Sequence, residues 1–233
     1  MKRSEFVEKG TKIKIRYKPL NGLINNTFTV ILKNWVFQGF FDLSINEKIY
    51  KILFDIIGVT IAYYFGIQDA MNLIIVFLFV HTVNWVTNDH FVDNLYHLQV
   101  CKTTPEKMEA AIKYLINFTH KYDSIVYAGI YGRIARGDEV HSGTDIDIRL
   151  LKNKGLVNSI FVCFIGHYLR FMGLVKLIPI DLNIWNSPTD LLRMRKDENP
   201  LIIKDEDQIS KMYAHLPNNM LVKYKRYDKR HIK

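Results

Sequence analysis

Between Ile52 and Val86 apolar residues run almost without interruption, and from Thr104 onward they settle into the shorter periods of an α/β domain. The first region holds two apolar stretches, Ile52–Ile67 and Met71–Val86, joined by the polar link Gln68–Asp69–Ala70. The second stretch is apolar on every side, which is the pattern of a helix surrounded by lipid or by a large core. Each stretch is shorter than the about 20 residues that a spanning helix ordinarily needs. Asp55, His81 and Asn84 are costly in hydrocarbon unless they meet each other. The two stretches therefore predict a helical hairpin in which these three side chains face the partner helix. Upstream, Phe28–Phe41 carries Trp35, Phe37, Phe40 and Phe41 with Lys33 as its only charge. That segment suits either an interfacial helix or a pair of strands.

After residue 103 the elements are easier to place. Thr104 is a helix cap, Pro105 fits the first helical position, and Glu106 lies at the positive end of the dipole. Met108, Ala111, Ile112, Leu115 and Ile116 then recur every three or four residues, giving one buried stripe. Ser124–Tyr131 and Asp145–Leu151 read as strands. Leu156–Phe171 reads as a helix, Val175–Trp185 as a third strand interrupted by Pro179, and Leu201–Lys204 as a last short strand. The predicted division is a basic arm with a possible interfacial segment (1–48), the apolar hairpin (49–100), an α/β domain (101–221) and a basic tail (222–233).

Charge sharpens this picture. Of the net +9, residues 1–20 contribute seven Lys/Arg against two Glu, and residues 221–233 contribute six against one Asp, so the body is close to neutral. Basic arms on a neutral body favour a membrane surface over nucleic acid as partner. The fifty residues from Ile52 to Cys101 contain no Lys and no Arg, and the link of the hairpin carries only Asp69. Positive flanks outside a pair that lacks Lys and Arg predict both ends on the cytoplasmic side, with aromatic residues such as Trp35, Tyr63, Tyr64 and Trp85 near the interfaces. The alternative is a hairpin buried in a soluble core or oligomer interface, which makes the protein cytoplasmic. A hydrophobic content of 48% excludes a disordered chain. Two cysteines, Cys101 and Cys163, are too few for a disulfide framework, and no secretory signal is evident at the start.

The chemistry concentrates in Tyr131–Leu151 (YGRIARGDEVHSGTDIDIRLL). Asp145 and Asp147 are two apart on a predicted strand, so their carboxylates share a face. Such a pair repels unless a cation lies between, and hard divalent ions take oxygen ligands of this kind. Asp181, between Ile180 and Leu182, is a carboxylate in a core strand that needs a partner. Gly132 and Gly137 bracket a turn whose backbone N–H groups suit phosphate, with Arg133 and Arg136 adding charge. A phosphate cradle followed by a carboxylate metal site is what nucleotidyl transfer requires.

With Gly132, Ala135-Arg136-Gly137, Asp145-Ile146-Asp147-Ile148 and a third Asp 34 residues later at position 181, the segment resembles the polymerase-β-type nucleotidyltransferases, especially the minimal nucleotidyltransferases. The resemblance covers about Thr104–Tyr213. It implies a small mixed sheet flanked by helices, two Mg²⁺ or Mn²⁺ ions on Asp145 and Asp147 with Asp181 completing the catalytic one, and nucleotide contacts from Gly132, Arg133 and Arg136. The implied reaction moves a nucleoside monophosphate from an NTP, with ATP favoured, to a hydroxyl acceptor. Arg133 stands where the family has Ser, which changes the geometry of the triphosphate contact. Thr144 likewise stands where Ser is usual. The same resemblance leaves an alternative, an antitoxin-like or regulatory protein that keeps the fold and binds a protein partner.

Other chemistry-bearing residues have plainer explanations. His90, Asp93 and His97 lie at helical spacing and fit either a second metal site or a solvated face. His141, Asp138 and Glu139 read as loop polarity, and Cys163 as a small core residue. No Gly-x-x-x-x-Gly-Lys phosphate loop is present.

Overall fold

The computed structural model describes residues 27–41, 43–89, 91–92, 95, 103–138, 140, 144–191, 200–209, 211 and 222–223. The chain divides into two compact units, 1–41 and 42–233. In the first, α1 (Thr27–Phe37) is a helix rather than a pair of strands. Just past its end, the rings of Phe37 and Phe41 pack 5.1 Å apart.

The second unit is mixed α/β. Its strands are β1 (Ile125–Tyr131), β2 (Ile146–Lys152), β3 (Ile180–Trp185), β4 (Leu201–Asp205) and the two-residue β5 (Val222–Lys223). They lie in the order β3-β2-β1-β4-β5. β1 is antiparallel to β2 and β4, whereas β2 pairs with β3 in parallel and β4 with β5 in parallel. Parallel β2 and β3 require a crossover, and the helix α6 (Leu156–Lys176) supplies it. The expected third strand loses its first residues to this helix. Val175 and Lys176 complete its last turn, Leu177 closes it at φ 50°, and the strand begins only after Pro179. Proline has no N–H to give a ladder, which separates the two elements.

α4 (Pro105–Thr119) and α6 cover one face of the sheet. The Thr104 hydroxyl accepts from Lys107 N, and all five residues of the predicted stripe are buried. They meet Ile146, Ile148 and Leu150 of β2 and Ile180, Leu182 and Ile184 of β3. Cys163 lies in the same core, where burial pushes its thiol up to about 12. Strand alternation sends the intervening residues to the opposite face.

The hairpin forms as α2 (Ile45–Tyr64) and α3 (Ala70–Asn88), and Asp69 of the link caps α3 by accepting from Asn72 N. α2 starts seven residues before the apolar run, because Ser44 and Glu47 close a capping box. The three polar residues meet as expected. His81 Nδ1 lies 2.7 Å from Asp55 Oδ2, and Asn84 Nδ2 donates to Asp55 Oδ1 at 2.8 Å. Among the described residues two helices are long and apolar enough to cross a membrane, α3 and α6. α6 is the crossover helix, with 44% of its apolar window buried against 11% for α3. α2 is not among them; its first eleven residues carry Glu47, Lys48, Lys51 and Asp55.

The base of the hairpin is locked to the sheet domain through buried polar groups. Arg170 of α6 donates to Glu47 Oε1 at 2.6 Å, to Asn88 Oδ1 at 3.0 Å and to the carbonyl of Leu182 at 2.7 Å. Glu47 Oε2 accepts from the backbone N–H of Ile184. Both charged side chains are almost fully buried, at 2% and 3% exposure. Removing one partner leaves the other charge buried without its counter-ion. Glu47→Gln and Arg170→Met are each expected to lower stability by about 3 kcal/mol, while an exposed control, Lys113→Met, changes it little. Urea unfolding in detergent, followed by tryptophan fluorescence, measures the difference.

Candidate active site

The face of the sheet away from α4 and α6 carries Asp147 and Arg149 from β2, Asp181 and Asn183 from β3, and Tyr127 and Tyr131 from β1. Register brings these together: Asp147 is the cross-strand neighbour of Asp181 on one side and of Tyr131 on the other. Asp145 lies just before β2, half-buried. The three predicted carboxylates are therefore gathered at one end of β2 and β3.

Their electrostatics are strained. Burial raises the Asp147 carboxyl well above the usual carboxylate range, and the neighbouring Asp181 and Asp145 push it further, while Arg149 opposes them. Arg149 is the member that sequence reasoning missed. Its NH2 lies 3.0 Å from Asp181 Oδ2 and 3.5 Å from Asp147 Oδ1, so the guanidinium bridges the two carboxylates. Its NH1 donates to the carbonyls of Ile148 and Asp181. Burial works against this cation, but Asp181 and Asp147 outweigh it and raise its pKa. The signal was present in the sequence: position 149 is two beyond Asp147 on a strand and must share its face.

Asn183 holds the other oxygen of Asp181, donating from Nδ2 to Oδ1 at 3.2 Å. Its own Oδ1 is buried and lacks a hydrogen-bond partner among the described residues. Beneath the carboxylates runs Tyr127, whose hydroxyl bonds to that of Tyr131 at 2.9 Å. The ring passes over Gly129, where a Cβ would meet it.

The predicted phosphate turn begins directly at the site. Gly132 has φ 75° and opens the five-residue helix α5 (Gly132–Arg136), and Gly137 ends it in the left-handed region. A Cβ at position 132 would fall on the Asp147 carboxylate, so two independent constraints require glycine there. Arg133 and Arg136 are both exposed on this short helix. Arg136 Nε bonds to Asp138 Oδ2 at 2.8 Å, which gives one of the loop acids a definite partner. His141, Glu139, His90, Asp93 and His97 lie outside the described residues, so the alternative metal stripe does too.

Among the described residues no group of three or more His, Cys, Asp or Glu side chains is drawn together tightly enough to hold a metal. The donor set still fits a divalent cation. Three carboxyl groups beside one guanidinium make an acidic, oxygen-rich end of the sheet, and oxygen ligands of this kind suit Mg²⁺ or Mn²⁺. No known family model matches the chain, and no curated protein or solved structure matches it either.

Gly132→Ala tests the link between turn and carboxylate. The substitution combines a strained positive φ with displacement of Asp147, and is expected to lower stability by about 2 kcal/mol. Gly66, also at positive φ (97°) but with no atom within reach of an added Cβ, gives the control for backbone strain alone. The difference between the two alanine variants in a thermal melt reads the contact with Asp147.

Proposed function

We propose that this chain is a metal-dependent nucleotidyltransferase that moves a nucleoside monophosphate from an NTP, ATP foremost, to a hydroxyl acceptor. The observation that carries this reading is the pairing of Asp147 with Asp181 across β2 and β3, beside Asp145 and against the Gly132 turn. A structural role for these side chains is poorly supported, because crowded half-buried carboxylates oppose one another.

In this mechanism Asp145 and Asp147 would hold the cation, at an acidic end of the sheet that Asp181 completes. Bound there, Mg²⁺ or Mn²⁺ supplies charge neutralisation at the α-phosphate and lowers the pKa of the attacking hydroxyl. The chain's own residues do the rest. Gly132 brings backbone close to the β- and γ-phosphates without a side chain in the way. Arg133 and Arg136 project from the same turn and hold the triphosphate by charge-assisted bonds, Arg133 with a fork where the resembling family has a hydroxyl. The acceptor hydroxyl loses its proton to solvent, its oxygen forms a bond to the α-phosphorus as the bond to the β-phosphate oxygen breaks, and pyrophosphate leaves. Arg149 and Asn183 fix Asp181 so that it needs no reorganisation during the reaction.

Each labelled NTP, supplied with Mg²⁺ or Mn²⁺ to the protein in its native membranes, is expected to label one acceptor species. Asp145→Asn and Asp147→Asn are expected to abolish that labelling while leaving the melting temperature unchanged or higher, since each removes a crowded charge. Wild-type turnover in either variant would refute the assignment.

We further propose that the hairpin holds this chemistry at a membrane. Its apolar helical arms, Ile52–Tyr64 and Met71–Val86, measure about 20 Å and about 24 Å, short of a typical hydrocarbon core of about 30 Å. Local thinning meets such a mismatch at modest cost. Along these arms Ile56, Ile57, Ile61, Ile74, Ile75 and Phe79 are all more than half exposed, which is unfavourable in water and favourable in lipid. In this reading α2 and α3 anchor the chain, both ends are cytoplasmic, and the α/β domain meets cytoplasmic NTP. The protein is expected to stay with membranes through carbonate and high salt, and to be released by detergent. Release by carbonate alone would reduce the hairpin to a peripheral or soluble element.

A further inference from the structure

Arg149 carries a consequence for the metal content of the site, one that rests on the nucleotidyltransferase reading. Both oxygens of Asp181 are already engaged by protein donors, Oδ2 by Arg149 at 3.0 Å and Oδ1 by Asn183 at 3.2 Å. Arg149 is not free to swing away. Its NH1 is tied to the carbonyls of Ile148 and Asp181, and the side chain is only 10% exposed. An arginine does not give up its proton in a protein, so this is a permanent cation at the Asp147–Asp181 side. A divalent ion lodged against Asp181 would sit beside a guanidinium of the same sign. Arg149 is the cation that opposes the charge of Asp147, and Asp145 adds to that charge.

We propose that Arg149 stands in for one of the two cations of a two-metal transfer centre. The chain then takes a single divalent ion, on Asp145 and Asp147, and Asp181 serves as the counter-ion of Arg149 rather than as a metal ligand. Arg149 is in this sense a positioning residue, which holds two acidic side chains in the place a metal would otherwise occupy. A hard-wired organic cation costs no metal affinity, and it fixes Asp181 before any substrate arrives.

The test counts metal rather than activity. The full chain in detergent is saturated with α,β-methylene-ATP and dialysed against Mn²⁺, and bound manganese and nucleotide are measured per protein. The wild type is expected to retain one Mn²⁺ per nucleotide. Arg149→Met is expected to retain two, because its removal frees Asp181 and opens the second position. Arg149→Lys keeps the charge and is expected to stay at one, and Asp181→Asn at one as well, since Asp181 is not a ligand. Two Mn²⁺ in the wild type overturns the proposal whether or not Arg149→Met folds, and so does a loss of manganese in Asp181→Asn. A count of one in folded Arg149→Met overturns it too. A wild type that retains neither manganese nor nucleotide refutes the nucleotidyltransferase reading itself, and this proposal with it, which distinguishes the two failures.

Discussion

Glu47 satisfies two demands that arise far apart in the chain. As the fourth residue of a capping box it returns to Ser44 and starts α2. As a buried carboxylate it neutralises Arg170 and accepts from the N–H of Ile184. β3 is the outer strand of the sheet, and an outer strand presents backbone groups that must find partners if they are covered. Glu47 takes the Ile184 donor and Arg170 takes the Leu182 acceptor, so the ion pair replaces a missing neighbouring strand. A buried pair of this kind adds little net stability against an apolar equivalent, but losing half of it is severe. It therefore acts as a constraint on arrangement. The hairpin has one place to dock, and that place is the edge of the strand that carries Asp181.

The strand also joins the two halves of the functional argument. Leu182 and Ile184 point into the core beneath α6, and Asp181 and Asn183 point to the opposite face. A displacement of the hairpin that pulled on the backbone at Ile184 would reach Asn183 directly, and through it the Oδ1 of Asp181. Tyr50 and Thr87 add to the same docking by bonding both ring nitrogens of His167 in α6. Burial holds that imidazole down to about 4, so it is neutral at physiological pH. Since the Thr87 hydroxyl donates to Val83 O, its oxygen receives the Nε2 proton, and Nδ1 accepts from Tyr50. A neutral histidine is thus the only form that satisfies both contacts.

Much of this was legible in the chain. The stripe of α4 and its Thr104 cap, the strands at 125, 146 and 201, the hairpin and the mutual contact of Asp55, His81 and Asn84 all follow from local pattern. Those features share a physical basis: each is set by residues within one element or by two adjacent ones. What escaped is long-range or depends on a boundary. Glu47 and Arg170 are 123 positions apart, and no local pattern joins them. The start of α2 at Ile45 was readable in Ser44-x-x-Glu47, yet the apolar run beginning at Ile52 masks it. Val175 and Lys176 were misplaced because β-branched and apolar residues suit a buried helix end as well as a strand. In the site, the carboxylates and Gly132 follow from motif and spacing, whereas Arg149 requires the alternation of β2 to be carried one step past the acidic pair.

The packing of α2 on α3 bears on which solvent surrounds them. In water, two apolar helices associate because burial removes surface from solvent; in lipid that driving force is absent, and close backbone approach and hydrogen bonds must replace it. The hairpin uses both replacements. Gly58 faces Val80 so closely that a Cβ there would meet the valine side chain. About one turn nearer the base, Asp55 is clasped by His81 and Asn84, and Asn84 also donates to the Lys51 carbonyl. Meanwhile large residues such as Ile56, Ile57, Ile74 and Phe79 point outward rather than into the pair. A soluble hairpin with these side chains would reverse the arrangement, burying isoleucines and exposing the aspartate. Small and polar inside with large and apolar outside is the order that lipid favours, and it holds along the arm from Asp55 to the link at Asp69.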